Sequence, residues 1–583
     1  MRRLGVAVVD CVLGAFGLFA SVGFLETGTM KEDAYRGLCR MPDGEIRHYG
    51  LDVATGRRVY VASRDEGRSW AEHQAATAWE DAMVRCPWSG TWVTLRSRDF
   101  GRRSLVIRSK AGPGDPASVT NEVSLAGFVF NRQPVPIAGR KRLLCPGNFQ
   151  ENGEKGSFEY FGAVAVSDDD GVSWRLSVAR PNVKRGGVVP PDRMRRWENY
   201  CCEPTVLEMR DGTIWMVVRT TMGRHYRYVS RDGGDSWGEL APMPGFYSSN
   251  TMPLLHRLKD GRIVFFWNNT QPLPLPAPEN YPELTGNEIW GKGEAAFTNR
   301  DAWHAAISED EGKTWIGFRE LRLLDFGCRA DFRQYGMSLG HEVDKSVHQS
   351  QAIDLEDGRL LLSDGQSPKA RRLGIFDPAY LYATNRIEDF GDGLENVSTH
   401  LFVKSYCGNT RKLGHCCWNR TNGALLVPDP VDHKAKREVL QLCRIDDPRL
   451  VSTLQGATWN FPAAKRGSVR LECFVAGAGF RLSLCDRWMN PSDDTVADFA
   501  CVSTSIEKRD LGAGGKWSTL EIRWDVDAAR AEIRIGGRAI RTLSCRNGDL
   551  APWGISYLHL QTLAREMDPN GCYFASLSMS KSK

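Results

Sequence analysis

Glu203 and Arg219 are the residues whose types and spacing most readily support chemistry. They end the segment Glu203-Pro-Thr-Val-Leu-Glu-Met-Arg-Asp-Gly-Thr-Ile-Trp-Met-Val-Val-Arg219, sixteen positions apart. Asp211-Gly212 between apolar runs is a hairpin signal, so Glu203 should open one strand and Arg219 close the next, at a single rim. There a carboxylate can act as a base, and a guanidinium can hold an anionic ligand through two parallel hydrogen bonds. The same two groups can equally form a plain surface ion pair at strand ends. His348 and Gln349 lie in Val347-His-Gln-Ser-Gln351, ahead of the Asp357-Gly358 turn. The imidazole can take or give a proton near neutral pH, or only hydrogen-bond substrate or backbone. Arg300, eight positions before Ser308, heads an apolar strand and is either a ligand contact or a solvated strand end.

Other chemistries find little support. Sixteen cysteines include no C-x-x-C pair, so neither a zinc ribbon nor a thioredoxin-type site is indicated. No motif asks for a metal, nucleotide or redox cofactor, and a structural Ca²⁺ loop stays open. A net charge of +5 over 583 residues, with no basic run, does not point to nucleic acid, though it suits an anionic substrate.

These side chains need elements to hold them. A chain of 583 residues implies two or more domains, and 58 Gly with 18 Trp suits short strands joined by tight turns. Four segments share the pattern S-x-D-x-G-x-[ST]-W, here called a box: Ser63 to Trp70, Ser167 to Trp174, Ser230 to Trp237 and Ser308 to Trp315. In each, the aspartate (Asp65, Asp169, Asp232, Asp310) can accept backbone N–H groups across a turn. The glycine supplies a positive φ, and the tryptophan folds back as an apolar plug. Asp-Gly turns at Asp43, Asp211, Asp260 and Asp357 form a second periodic element, leading into runs such as Ile263-Val-Phe-Phe-Trp267. Box aspartates separated by 104, 63 and 78 residues suit four-stranded blades with insertions, hence a radial propeller. Blades without a box are expected around 90 to 150 and after 345.

The boxes resemble the Asp boxes, or BNR repeats, of the sialidase (neuraminidase) superfamily over roughly residues 31 to 445. That resemblance implies a six-bladed propeller whose boxes are structural. It further implies three arginines clamping a sugar carboxylate, an Asp general acid/base, and a Tyr nucleophile activated by a Glu. Carried over, Glu203 is the base and Arg219 the second clamp arginine. Arg300 is the third, and Arg36, in Tyr35-Arg-Gly-Leu-Cys-Arg40, the first, although the family's Ile-Pro is missing there. Asp52, thirteen residues before Asp65, matches the acid/base aspartate. The segment matching the nucleophile has no Tyr; His348 and Gln349 stand in its place. Tyr335, Tyr380 and Tyr382 are near in sequence but lack the family context. Trp290, Trp303 and Tyr226 can stack on sugar rings or serve core packing.

From about residue 446 the boxes stop and strands alternate, as in Leu520-Glu-Ile-Arg-Trp524, suggesting a concanavalin/laminin-G type jelly roll that binds carbohydrate or packs on the propeller. Met1-Arg-Arg3 and the apolar stretch to Leu25 read as a signal peptide, with Met30 as a rival start. The expected organisation is a leader at 1–29, a propeller at 30–445 and a lectin-like β-sandwich at 446–583, all-β and secreted or periplasmic. The leading functional expectation is an exo-acting sialidase-type hydrolase of a terminal acidic sugar. The alternatives are a glycan-binding propeller without turnover, or a hydrolase or lyase on another anionic glycan using His348. A glycan is the expected partner; nucleic acid and a stable membrane span are not expected.

Overall fold

The computed structural model describes residues 23–31, 34–52, 55–77, 79–98, 101–152, 158–183, 201–220, 222–249, 251–271, 300–323, 347–366, 370–406, 418–450, 452–512 and 515–582. Trp290, Tyr335 and the apolar part of the leader up to residue 22 lie outside them.

The box turns close as local chemistry demands. The Ser69 hydroxyl and amide both donate to the Asp65 carboxylate, at 2.5 and 2.9 Å, and the Ser63 hydroxyl donates at 2.7 Å. The Gly67 amide returns to the Ser63 oxygen at 2.8 Å. Asp169, Asp232 and Asp310 repeat this wiring. Two consecutive residues are left-handed in each turn, for example Glu66 at φ 59° and Gly67 at φ 81°. The glycine is required twice over. A Cβ on Gly67, Gly171, Gly234 or Gly312 would come within 2.7, 2.6, 3.1 or 2.5 Å of Leu361, Val93, Leu144 or Trp215. All four contacts lie on the second strand of the preceding sheet, so each box both turns the chain and seats one sheet against the next.

Six antiparallel sheets result, here blades 1 to 6. Blade 1 spans Leu38–Arg40 to Ala71–Gln74, blade 2 Val84–Arg85 to Val119–Val123, and blade 3 Phe128–Phe130 to Arg175–Val178. Blade 4 spans Cys201–Glu208 to Ala241–Tyr247 and blade 5 Leu254–Arg257 to Ile316–Leu323. Blade 6 takes Gln351–Asp354, Leu360–Asp364 and Arg372–Phe376. Blades 2 and 6, the two without a box, fall where the gaps were expected. The first strands of neighbouring blades touch, Cys201–Glu208 with Leu254–Arg257 and Leu38–Arg40 with Gln351–Asp354, and so lie innermost. Apolar clusters fill the seams, Val93, Cys145 and Ala165 between blades 2 and 3, Phe266, Trp303 and Leu362 between blades 5 and 6. Trp303 thus packs in the core, 1% exposed.

The fourth strand of blade 6 is Leu25–Gly28, paired with Arg372–Phe376. Phe24 is buried beside it, edge-on to Trp303 at 5.7 Å. The leader expected at 1–29 therefore overlaps the fold. Leu25 and the residues after it close the ring rather than belonging to an appendage, because the last blade lacks a fourth strand of its own.

The chain then builds a two-sheet sandwich. One sheet orders Leu425–Pro428, Glu438–Arg444, Asp568–Lys581, Arg466–Val475, Ser518–Asp525, Arg530–Ile535 and Arg538–Ser544, with Asn385–Glu388 also on Asp568–Lys581. The other orders Val397–Ser398, Gly456–Ala464, Ile555–Thr562, Phe480–Cys485 and Val502–Ile506. Strands from Asn385 onward enter these sheets, ahead of the expected start at 446. They are two to seven residues long and carry neither box nor alternation, so only their pairing reveals them. Gly456–Ala464 and Ile555–Thr562 are buried on both faces. One face meets the sandwich core (Trp459, Leu558, Leu560) and the other carries Asn460 and Tyr557 to the propeller. Among the described residues no helix is long and apolar enough to cross a membrane, and the eleven described cysteines are all free thiols.

Candidate functional site

Strand direction places the chemistry. Boxes join third to fourth strands and Asp-Gly turns join first to second, so both lie at one end of each blade. The starts of first strands, ends of second strands and starts of third strands lie at the other. Arg36, Glu203, Arg219, Arg300, His348 and Gln349 all fall at this second end, together with Asp52 on the hairpin between Ile46–Leu51 and Arg58–Ser63. The box aspartates lie at the opposite end. Their wiring fits a structural role: burial opposes ionisation, but the bonds from Ser69, Ser63 and Arg68 hold the Asp65 carboxyl down at about 2, from 3.8.

Glu203 and Arg219 meet as the sixteen-residue spacing requires. Arg219, 3% exposed, donates through Nη1 to Glu203 Oε2. Glu203 is left-handed, φ 45°, and its amide donates to Asn148 Oδ1 at 2.5 Å. Pairing across this hairpin shifts register between Cys202 and Thr205. A glutamate held in this sparsely populated region costs about 1–3 kcal/mol and is aimed by its surroundings rather than by preference.

Arg300 and His348 form a second knot. Arg300 is fully buried, and its Nη1 lies 3.1 Å from His348 Nε2 and donates to Gln366 Oε1 at 3.2 Å. His348 Nε2 also lies 2.6 Å from Gln366 Oε1, and its Nδ1 accepts the Met252 amide at 3.5 Å. Burial first and the Arg300 charge second hold the imidazole well below its ordinary range, with Arg219 and Arg132 pushing the same way. Arg300 thus lies directly against a buried ring that is held neutral. Gln349 is left-handed at φ 70°, and its buried Oε1 has no hydrogen-bond partner among the described residues.

Arg132 was not anticipated. It opens the inner part of blade 3, 5% exposed, and reaches across the ring, donating to Ser350 O at 2.7 Å and to Pro253 O. Burial brings it down to about 10 against the opposing pull of Glu203 and Tyr35. Counting back from the third-strand box of its own blade leads to this segment, although no motif marks it. Two more residues were missed. Asp81, at the head of blade 2, accepts from Arg96 Nε at 2.6 Å and Arg58 Nη2 at 3.3 Å. Tyr160, at the head of a blade 3 strand, has its phenol raised by burial, with Cys202 and Glu203 adding and Arg219 opposing.

Arg36 adjoins this group: its carbonyl accepts Gln133 Nε2 at 2.7 Å and its guanidinium lies 6.0 Å from the Phe130 ring. Asp52 accepts the Thr55 amide at 3.2 Å and so caps its own turn. Tyr226 packs partly buried against the blade 4 core. Tyr380 and Tyr382 bond to Arg319 and Arg262, away from Glu203.

Residues 115–362 match the model of the BNR repeat-like domain. No curated protein matches the chain by sequence. Among solved structures, the Trypanosoma rangeli sialidase in complex with sialic acid is similar at 13% identity, covering 96% of this chain and 94% of that one, with a TM-score of 0.35. The NanB sialidase from Streptococcus pneumoniae is similar at 12% identity over 61% of this chain and 70% of its own, also at 0.35. The matched stretch holds three of the four box turns and blades 3 to 5.

Proposed function

We propose that the protein is an exo-acting glycoside hydrolase of sialidase type, removing a terminal acidic sugar, with sialic acid the first choice. The observation that carries this reading is the nearly buried Arg219, paired with the Glu203 carboxylate, at the same end of the blades as the fully buried Arg300 beside His348. Cations gathered where little water reaches are costly unless an anion joins them, and a sugar carboxylate fits a guanidinium fork bidentately. In this reading Arg36, Arg219 and Arg300 hold the carboxylate and Glu203 is the base. Asp52 serves as acid/base on its hairpin, and Gln349 accepts from a sugar hydroxyl or amide. His348, neutral and buried, positions Arg300 rather than donating a proton, and Tyr160 offers a phenol beside Glu203.

A second reading, binding without turnover, is favoured by one observation: the segment Val347 to Gln351 carries an imidazole rather than a phenol. Titration calorimetry separates the clamp from other modes of binding. Free N-acetylneuraminic acid should bind, and both its methyl ester and the Arg219→Ala protein should lose at least about tenfold in affinity, the scale of one charge-assisted bidentate contact. Equal binding of acid and ester would remove the clamp. The domain boundary near residue 384 and export of the chain belong to the same proposal.

A further inference from the structure

The sandwich reaches the candidate site through the loop that follows Ile263–Trp267 in blade 5. Trp488 of the sandwich donates its amide to Asn269 O at 2.8 Å, and its carbonyl accepts the Gln271 amide at 2.9 Å. Thr270 and Trp488 thus form a parallel bridge. Asn269 Nδ2 donates to Asp486 O at 2.8 Å, and Arg487 Nη1 to Gln271 Oε1 at 3.0 Å. The loop is therefore held as a short strand against a partner from the other domain. The Trp488 ring, fully buried, packs in one cluster with Ala302, Tyr557 and Met489.

Asn268, one residue earlier in this loop, carries the contact inward. Its fully buried amide donates to Ala302 O at 2.6 Å and Val347 O at 2.8 Å. Ala302 lies two residues from Arg300 and Val347 one residue from His348, and the Val347 amide donates to Arg300 O at 3.0 Å. Beside them His400 of the sandwich region faces Asp301 at 3.4 Å. On the outer side of the same strand, His304 Nε2 meets Tyr557 Oη at 2.5 Å, and that hydroxyl donates to Glu320 at 2.9 Å.

We infer that the C-terminal sandwich is a positioning domain for the candidate site: its Asp486 to Met489 segment fixes the 268–271 loop, and Asn268 fixes the two chain segments that present Arg300 and His348. Asn268 is the positioning residue, since its one fully buried amide donates to both segments. The functional weight of this link rests on the acidic-sugar reading above; the link itself does not.

Hydrogen exchange followed by mass spectrometry tests it in the full chain, using Asn268→Ala, Trp488→Ala and the gentler Tyr557→Phe. Peptides covering 300–304 and 347–351 should exchange about tenfold faster in Asn268→Ala and Trp488→Ala. The box peptide 308–315 should hold its wild-type rate, which reports that the fold is intact. Tyr557→Phe should loosen 302–304 and leave 347–351 unchanged. Unchanged exchange at 347–351 in both alanine variants would overturn the inference, as would an equal rise in the box peptide. Calorimetry with N-acetylneuraminic acid is the separate arm. Weakened binding in Asn268→Ala supports the functional weight of the link. No binding by the wild-type protein would sink the sugar reading while leaving the exchange result to judge the link.

Discussion

At the scale of single residues, the site is a set of charges placed where water is scarce. Arg219 is nearly buried and its partner is Glu203, so removing the carboxylate does two things at once. It deletes the proposed base, and it takes from a buried cation its carboxylate partner, a change that costs up to about 3–5 kcal/mol where no relaxation intervenes. Glu203→Gln keeps the shape and separates these effects: turnover of an acidic-sugar glycoside should fall by about 10²-fold or more, with a smaller loss of melting temperature than Glu203→Ala. The box aspartates behave oppositely. Asp232→Ala should lower stability by about 1–3 kcal/mol, from the loss of several hydrogen bonds, without changing ligand affinity. Because the folded Asp65 carboxyl lies at about 2 against 3.8, its contribution is complete above pH 3.8 and fades as the pH falls toward 2. Chemical denaturation at pH 6 and pH 2.5 of wild type and Asp65→Asn checks that sign: the difference between them should shrink at the lower pH.

Elements carry the next set of constraints. Leu25–Gly28 is four residues long, yet it supplies the last strand of blade 6 and brings Phe24 against Trp303. A chain beginning at residue 23 should fold like the full chain. One beginning at Met30 should melt well below it or be recovered as aggregate, since an open sheet edge and an apolar seam are both exposed. Equal melting temperatures would contradict the closing role of that strand. This also shows which parts of the architecture sequence reasoning can reach. A box closes within eight residues, so its serine, aspartate and glycine can be read without knowing the fold. Glu203 and Arg219 are legible for the same reason, because one hairpin with an Asp-Gly turn joins them. Arg132 and Asp81 owe their places to the phase of whole blades, and nothing within ten residues of either announces it. The strands Asn385–Glu388 and Val397–Ser398 are too short to alternate, and they became strands only by pairing with segments from near residues 578 and 458.

For the whole molecule, the two domains share a seam made of polar residues that the sequence keeps far apart: His304, Glu320, Asn460 and Tyr557. Glu320 is buried there, and desolvation lifts its carboxyl to about 7 from 4.5, against the pull of Arg386, Tyr557 and Arg319. A raised acid binds its proton more tightly folded than unfolded. Stability from this group is therefore full below about pH 4.5 and lost as the pH rises through 7, on the order of 3 kcal/mol in all. Asp364, beside Arg322 and likewise lifted to about 7 by burial, acts in the same direction. Buried neutral histidines such as His348 pull the other way over this range, so the comparison is between proteins: the melting temperature of wild type relative to Glu320→Gln should fall from pH 5 to 8, and an unchanged difference would place the titration elsewhere. The central claim concerns what the opposite end of the propeller does. Its most direct test is release of fluorophore from an α-sialoside by purified protein, run beside Arg219→Ala and Glu203→Ala. Turnover by the wild type that collapses in both variants is the predicted result. No release by the wild type, or release that survives in both variants, would contradict it.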